Sequence, residues 1–488
     1  MKRSVFLAAS VASAALLVAS CASTPTPLDA TAALQTAERA MGGAGLKTLR
    51  YSASGTGGIF GQAYVPGMAW PAVTVSNLTR MHDYDNAAMR QDMAISRAEP
   101  NGGGAVPLMG TGEQRSVAML MGDFAWNMAG PAPVASPVAT AQRVHDLWTS
   151  PHGVLKAAAA YKASASARSV GGVAYTALSF IVPGRLQATA FVNAQGLVER
   201  VESKLPNAVM GDTEAVTEYS GYQSHSGVQF PSRIRQSQGG YPVFDLNVGE
   251  VQVNQAAGIS VPPLVAAAQE RAVAEKAAQG VWFIAGGSHN SVAIEMKDHT
   301  ILVESPLYDA RAAAVLAEVK RVIPGKPIRL VVNSHHHFDH AGGLRTAIAD
   351  GAALVTSANA AAFYTRVLGN ANRIAPDALA KSGAAVKVEA VDGKRVFTDG
   401  VRSVEVSQIA GSVHANGFLM VYLPAEKLLI EADAYTPSAP NAAPLAVHNA
   451  NHLNLIANIE ANKLAVERIL PLHGRIVPLR ELYTTAGR

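Results

Sequence analysis

The stretch NSHHHFDHAGG, residues 333–343, packs four histidines and an aspartate into six consecutive positions. It follows PIRLVV, an apolar run that reads as a buried strand, and precedes LRTAIA, which reads as the start of a helix. The cluster therefore falls in the loop beyond the C-terminal end of a strand, where αβ folds gather their sites. Alternate residues of an extended loop point the same way, so His335 and His337 can grip one metal ion while His336 points elsewhere. Asp339 and His340 come after the turn, offset toward a second ion.

Four side chains do not complete two metal sites, because zinc takes about four ligands per ion, water included. The chain offers His414 in IAGSVHANG, Asp433 in LLIEADAY and His473 in ILPLHGR, each just past an apolar, strand-like run. The count then closes: His335, His337 and His414 on one ion, Asp339, His340 and His473 on the other, and Asp433 bridging. HHHFDH fits the pattern H-x-H-x-D-H, and with the three distant residues in this order the region resembles the metallo-β-lactamase superfamily. The resemblance covers residues 280–488. It implies an α/β domain of the αββα sandwich type with a binuclear site, two zinc ions by expectation, at one edge.

Two zinc ions bring four positive charges, of which Asp339, Asp433 and a bridging hydroxide cancel three. The net positive centre lowers the pKa of bound water and stabilises an oxyanion. The expected activity is hydrolysis of an ester, lactone, thioester, amide or phosphodiester bond by a metal-bound hydroxide, with Asp339 as both ligand and orienting group. No G-x-S-x-G elbow is present, and the one cysteine is Cys21. Lactamase types with a cysteine ligand are thereby excluded, while the all-histidine type stays open. Flavodiiron relatives usually carry Glu where His337 stands. Two alternatives stay open: a mononuclear iron dioxygenase, which shares most of these ligands, and a non-enzymatic lipid-binding lipoprotein in which the N-terminal sheet does the work and the metal is structural. Tyr435, His448 and His452 are candidates for the substrate pocket. His82, His145, His152, His225, His289 and His299 carry no motif and read as structural.

At 488 residues the chain is long enough for two or three domains. Its 49% hydrophobic and 16% charged residues argue against wholesale disorder. The formal charge of +4 is scattered, without a basic stripe, which removes nucleic acid as an expected partner. Residues 31–260 read as a β-rich, mostly antiparallel domain with a helical insertion at 140–161. The texture of TEYSGYQSHSGVQFPSRIRQ and NVGEVQVN resembles the closing strands of lipoprotein-carrier-type half-barrels. Residues 261–279 hold Pro262-Pro263 and an Ala-rich charged segment, read as a linker or docking helix.

At the N-terminus, Lys2-Arg3 precedes an apolar run over residues 5–18, and Val18-Ala19-Ser20-Cys21 resembles a lipobox. This implies a signal peptide over 1–20, lipidation at Cys21 and a tether over 21–30. The expected location is the periplasmic side of a bacterial membrane, or a secreted or periplasmic one if the lipobox is unused. The expected partners are a small-molecule substrate and, through the lipid, the membrane. Nothing in the sequence speaks to oligomeric state.

Overall fold

The computed structural model of the protein describes residues 27–98, 112–440 and 448–488. The expected signal peptide, the lipidation site at Cys21 and residues 21–26 of the tether lie outside these residues. Described residues 27–30 of that tether are already part of the fold: Pro27–Leu28 pairs with strand Ser164–Val170, and a helix starts at Ala30. Asp29 caps that helix, its carboxylate accepting from Thr31 N at 2.9 Å, and Gly42 ends it in the left-handed region.

The N-terminal half is one antiparallel sheet of 14 described strands. Strands pair antiparallel in sequence order within two runs, Thr48–Gly58 to Ala132–Ala135 and Ser164–Val170 to Tyr241–Val253, and the runs join where Tyr241–Val253 returns to pair with Thr48–Gly58. The alternation seen in the sequence becomes two unlike faces. In strand Leu186–Val192, Ala188 and Ala190 are buried whereas Gln187 is exposed. Helices Ala30–Met41, Thr140–Trp148 and Gly153–Ala160 cover the inner face, and Met41, Leu147 and Leu155 join Leu49, Leu178 and Phe230 in one core. Burying such side chains contributes roughly 2 kcal/mol each, and this attaches the helical insertion to the sheet.

Among the described residues, the C-terminal half holds two sheets of seven and six strands, packed face to face. Strand Thr300–Val303 shows the layering. Ile301 and Val303 face the second sheet, while Leu302 faces helices Asp309–Val322 and Leu344–Ala349. Such two-sided burial explains why the strands here read as continuous apolar runs. Strands Thr300–Val303, Ile328–Val332, Ala353–Ser357 and Val388–Val391 run parallel, so their C-terminal ends open on one edge. Strand Leu428–Glu431 runs parallel to Arg468–Pro471 in the second sheet.

The expected docking helix over 261–279 is corrected by the structure. One turn, Pro263–Ala266, is helical, and Val273–Ala278 is a strand that extends the seven-stranded sheet through a tight turn at Gln279-Gly280. Ala, Glu and Lys favour helix locally, but an edge place beside Val281–Ala285 outweighs a propensity worth tenths of a kcal/mol per residue.

The halves are joined by hydrogen bonds as well as by the chain. The Asp212 carboxylate accepts from Arg373 N at 2.8 Å and Ile374 N at 3.2 Å, and Asp212 N donates to Ala371 O at 2.8 Å. The loop of residues 59–71, between the second and third described strands of the N-terminal sheet, reaches onto the edge of the C-terminal sandwich.

Candidate metal centre

The ligand residues arrive at that edge from four loops. His335, His337, Asp339 and His340 follow strand Ile328–Val332; His414 precedes Leu419–Leu423; Asp433 follows Leu428–Glu431; His473 follows Arg468–Pro471. The structure divides them into two groups that share Asp433. His335 Nε2 lies 3.0 Å from His337 Nδ1 and 3.1 Å from His414 Nε2, and Asp433 Oδ2 is 2.8 Å from His414 Nε2. On the other side Asp433 Oδ1 is 2.8 Å from His473 Nε2 and 3.2 Å from His340 Nε2, with Asp339 Oδ2 3.7 Å from His340 Nε2. One carboxylate thus sends one oxygen to each group.

A metal fits this donor set. In three of the imidazoles the other ring nitrogen has a hydrogen-bond partner, which turns the first toward the centre. His335 Nδ1 meets Ser334 Oγ at 2.9 Å, and His473 Nδ1–H donates to Ser288 O at 2.9 Å. His337 Nε2–H donates to Ala63 O at 3.0 Å, and His340 Nδ1 lies 3.4 Å from Glu304 Oε2. Imidazole nitrogens 3.0 to 3.1 Å apart are left facing one another around the two oxygens of the buried Asp433 carboxylate. Converging lone pairs of this kind are what a cation needs and what an empty protein interior avoids.

Electrostatics agree with the geometry. Burial, followed by neighbouring imidazoles, pushes His335 and His337 well below the ordinary imidazole value, so both are neutral and ready to ligate. Burial opposes charge on His340 too, but the Asp433 and Asp339 carboxylates outweigh it and raise this imidazole well above the usual range. Burial would raise the Asp433 carboxyl; His340, His414 and His473 together hold it well below instead.

The inner group is sealed: His335, His337 and His414 are 0–2% exposed. The outer group is more open, with side-chain exposures of 27% for Asp339 and 20% for His473. Beside it lies a cavity of about 710 Å³ between the two halves of the chain, lined by Phe60, Gln62, Leu205, Tyr308, Phe338 and Asp339 among others.

Two residues of the site were not found from the sequence. His289, read as structural, places Nε2 3.2 Å from Asp339 Oδ2, and with Asp339, His340 and His473 it forms a set whose ligand atoms lie within 4.8 Å of one another. Its signal, a histidine in the short loop after strand Val281–Ala285, has no fixed spacing to the others. Glu304, fully buried, braces the centre by accepting from Ser334 N at 2.6 Å beside His340.

His336 joins neither group and donates through Nε2 to Ala63 O at 2.7 Å. The expected pocket residues sit elsewhere. Tyr435 is fully buried, with its hydroxyl 3.4 Å from Thr485 Oγ1 and its ring edge-on to His452 at 5.0 Å. His448 adjoins Gly487. Tyr435 and His452 are buried against one another, whereas His448 is exposed; among the described residues none of their hydrogen bonds or ring contacts reaches a ligand.

The sequence model of the Metallo-beta-lactamase superfamily matches residues 284–438. No curated protein matches the chain. Among solved structures, a metallo-beta-lactamase from Pontibacter korlensis is 18% identical, with 44% of this chain and 98% of that one covered and a TM-score of 0.35. The metallo-beta-lactamase FIM-1 from Pseudomonas aeruginosa, in its mono-zinc form, is 20% identical over 44% of this chain and 94% of its own, at a TM-score of 0.34. Rubredoxin oxygen:oxidoreductase from Desulfovibrio gigas is 18% identical over 44% and 59%, at 0.35. The family match and the paired sheets with ligands at one edge make the C-terminal half of this chain a metallo-β-lactamase superfamily domain.

Proposed function

We propose that the protein is a binuclear, zinc-dependent hydrolase acting on an ester, lactone, thioester, amide or phosphodiester bond. The observation that carries this reading is the division of Asp433 between two ligand groups, one oxygen to each. Bound zinc supplies a Lewis acid and acidifies the water it holds. The chain's residues do the rest. Asp339 has Oδ1 held by Gln62 Nε2 at 2.7 Å, so its Oδ2 stays aimed at the outer group, where it would ligate the ion and accept a hydrogen bond that orients the attacking water. The inner histidines, shut from solvent, keep the centre from exchanging its water freely. The cavity wall of Phe60, Leu205, Tyr308 and Phe338 receives an apolar part of the substrate beside Asp339.

We also propose that Cys21 carries a lipid and holds the enzyme at the periplasmic side of a bacterial membrane. Among the described residues no helix is long and apolar enough to cross a bilayer. Metal analysis of the purified protein, run beside a panel of esters, lactones, thioesters, β-lactams and phosphodiesters, tests the reading. Two zinc ions per chain and turnover that Asp339→Asn lowers at least about a hundredfold support it. One iron per chain with dioxygenase turnover, or turnover indifferent to Asp339→Asn, overturns it.

A further inference from the structure

The loop GIFGQAYVPGMAWP, residues 58–71, belongs to the N-terminal domain by its strands and to the metal centre by its contacts. Four successive residues bind two of the four ligand-bearing loops. Gly61 O accepts from Phe338 N at 3.1 Å, and Gln62 Nε2 donates to Asp339 Oδ1 at 2.7 Å. Ala63 O accepts from both His336 Nε2 and His337 Nε2, at 2.7 and 3.0 Å. Tyr64 O accepts from Asn416 N at 2.8 Å, and the Tyr64 hydroxyl donates to Ser412 O at 2.8 Å, on either side of His414.

The loop is built for this approach. Gly61 has φ +84°, and a Cβ there would stand 2.7 Å from the Phe338 ring, so only glycine lets the backbone come this close. Phe60 and Trp70 pack edge-on around Phe338 with centroids 5.3 and 5.8 Å away, and the Trp70 indole N–H is tied to Gln238 O at 3.0 Å. Ala63 is 1% exposed, so its carbonyl has no water to fall back on.

We infer that residues 61–64 of the N-terminal domain are the outer shell of the metal centre, with Gln62 the positioning residue for Asp339. The inference rests on the ligand assignment made above. Ala63 O fixes the His337 tautomer with hydrogen on Nε2, which leaves the Nδ1 lone pair for the inner ion. Gln62 holds Asp339 Oδ1 and so restrains the carboxylate, so that Oδ2 would be the oxygen left for the outer ion. Each domain therefore supplies part of one centre: the C-terminal half holds every ligand, and the N-terminal half sets how they point.

The test uses the full chain, stripped of metal and titrated with zinc against a chromophoric chelator, with Gln62→Ala and Gly61→Ala beside the parent. Gln62→Ala is expected to weaken the outer zinc step about tenfold and leave the inner one unchanged. Gly61→Ala, which pushes the loop off Phe338, is expected to weaken both. Melting of the metal-free protein should stay where it is in Gln62→Ala, and its kcat should fall with KM little changed. Zinc curves for both variants that superimpose on the parent's overturn the inference. Shifted zinc curves in a protein that hydrolyses nothing on the panel leave this inference standing and remove the hydrolase reading instead.

Discussion

The two candidate metal positions share Asp433 and little else. The inner one is closed by buried histidines and by Ala63 O from the other domain. The outer one has its aspartate and one histidine partly exposed, a third imidazole beside them, and a cavity next to it. The difference teaches a division of labour: a sealed site holds its ion tightly and fixes the geometry, whereas an open site is where water and substrate arrive.

The harshest way to break the comparison is to remove what the two positions share. Asp433→Ala should cost both ions, leaving less than one zinc per chain by elemental analysis and turnover down about a thousandfold or more, since outer-shell changes alone cost ten- to a hundredfold. Next come changes on one side only. His414→Ala should empty the inner position, and His473→Ala should leave one tightly held zinc, with native mass spectrometry counting the ions. If either variant lost both ions together, the positions would be one cooperative unit and the division would fail.

Proton release sharpens the contrast further. His340 and His473 are raised above the ordinary imidazole value of about 6.5 by the carboxylates facing them, whereas His335 and His337 are already neutral. Zinc must displace protons from the raised pair, so the outer affinity should fall as pH drops through their titration, while the inner affinity changes less. Calorimetry in buffers of different ionisation enthalpy reads the protons released on each step. An inner step that releases more protons than the outer would reverse the assignment. The smallest effect is expected of His289→Ala. Burial lowers this imidazole to about 4, so it is neutral near pH 7, and its loss should weaken the outer zinc by about tenfold or less in a chelator competition.

Much of this site was readable because its residues obey local rules. The H-x-H-x-D-H spacing is a property of one loop, and His414, Asp433 and His473 each follow or precede an apolar strand that announces itself. His289 obeys no such rule; it meets Asp339 because strands Val281–Ala285 and Ser291–Glu295 turn at the same edge, a fact of sheet order and not of spacing. Gln62 and Ala63 were hidden for a related reason, since a loop in one domain gives no sign that it will close over another. The strand Val273–Ala278 was missed because an Ala-rich charged segment satisfies helix propensity on its own, and only the partner strand shows otherwise. The β-rich character of the first half and the αβ layering of the second were legible from period alone. The strand order, including the return of Tyr241–Val253 to Thr48–Gly58, was not.

The hydrogen bond from Gln62 to Asp339 joins residues 277 apart in the chain. Contacts of such span form late, because the intervening loop entropy must first be overcome by folding on both sides. The first domain of a growing chain folds ahead of the second, so the loop at residues 61–64 stands ready before any ligand has been made. On the proposed reading, acquisition of metal in its final geometry would be the closing event of maturation, and metal content would measure how many molecules have folded from end to end.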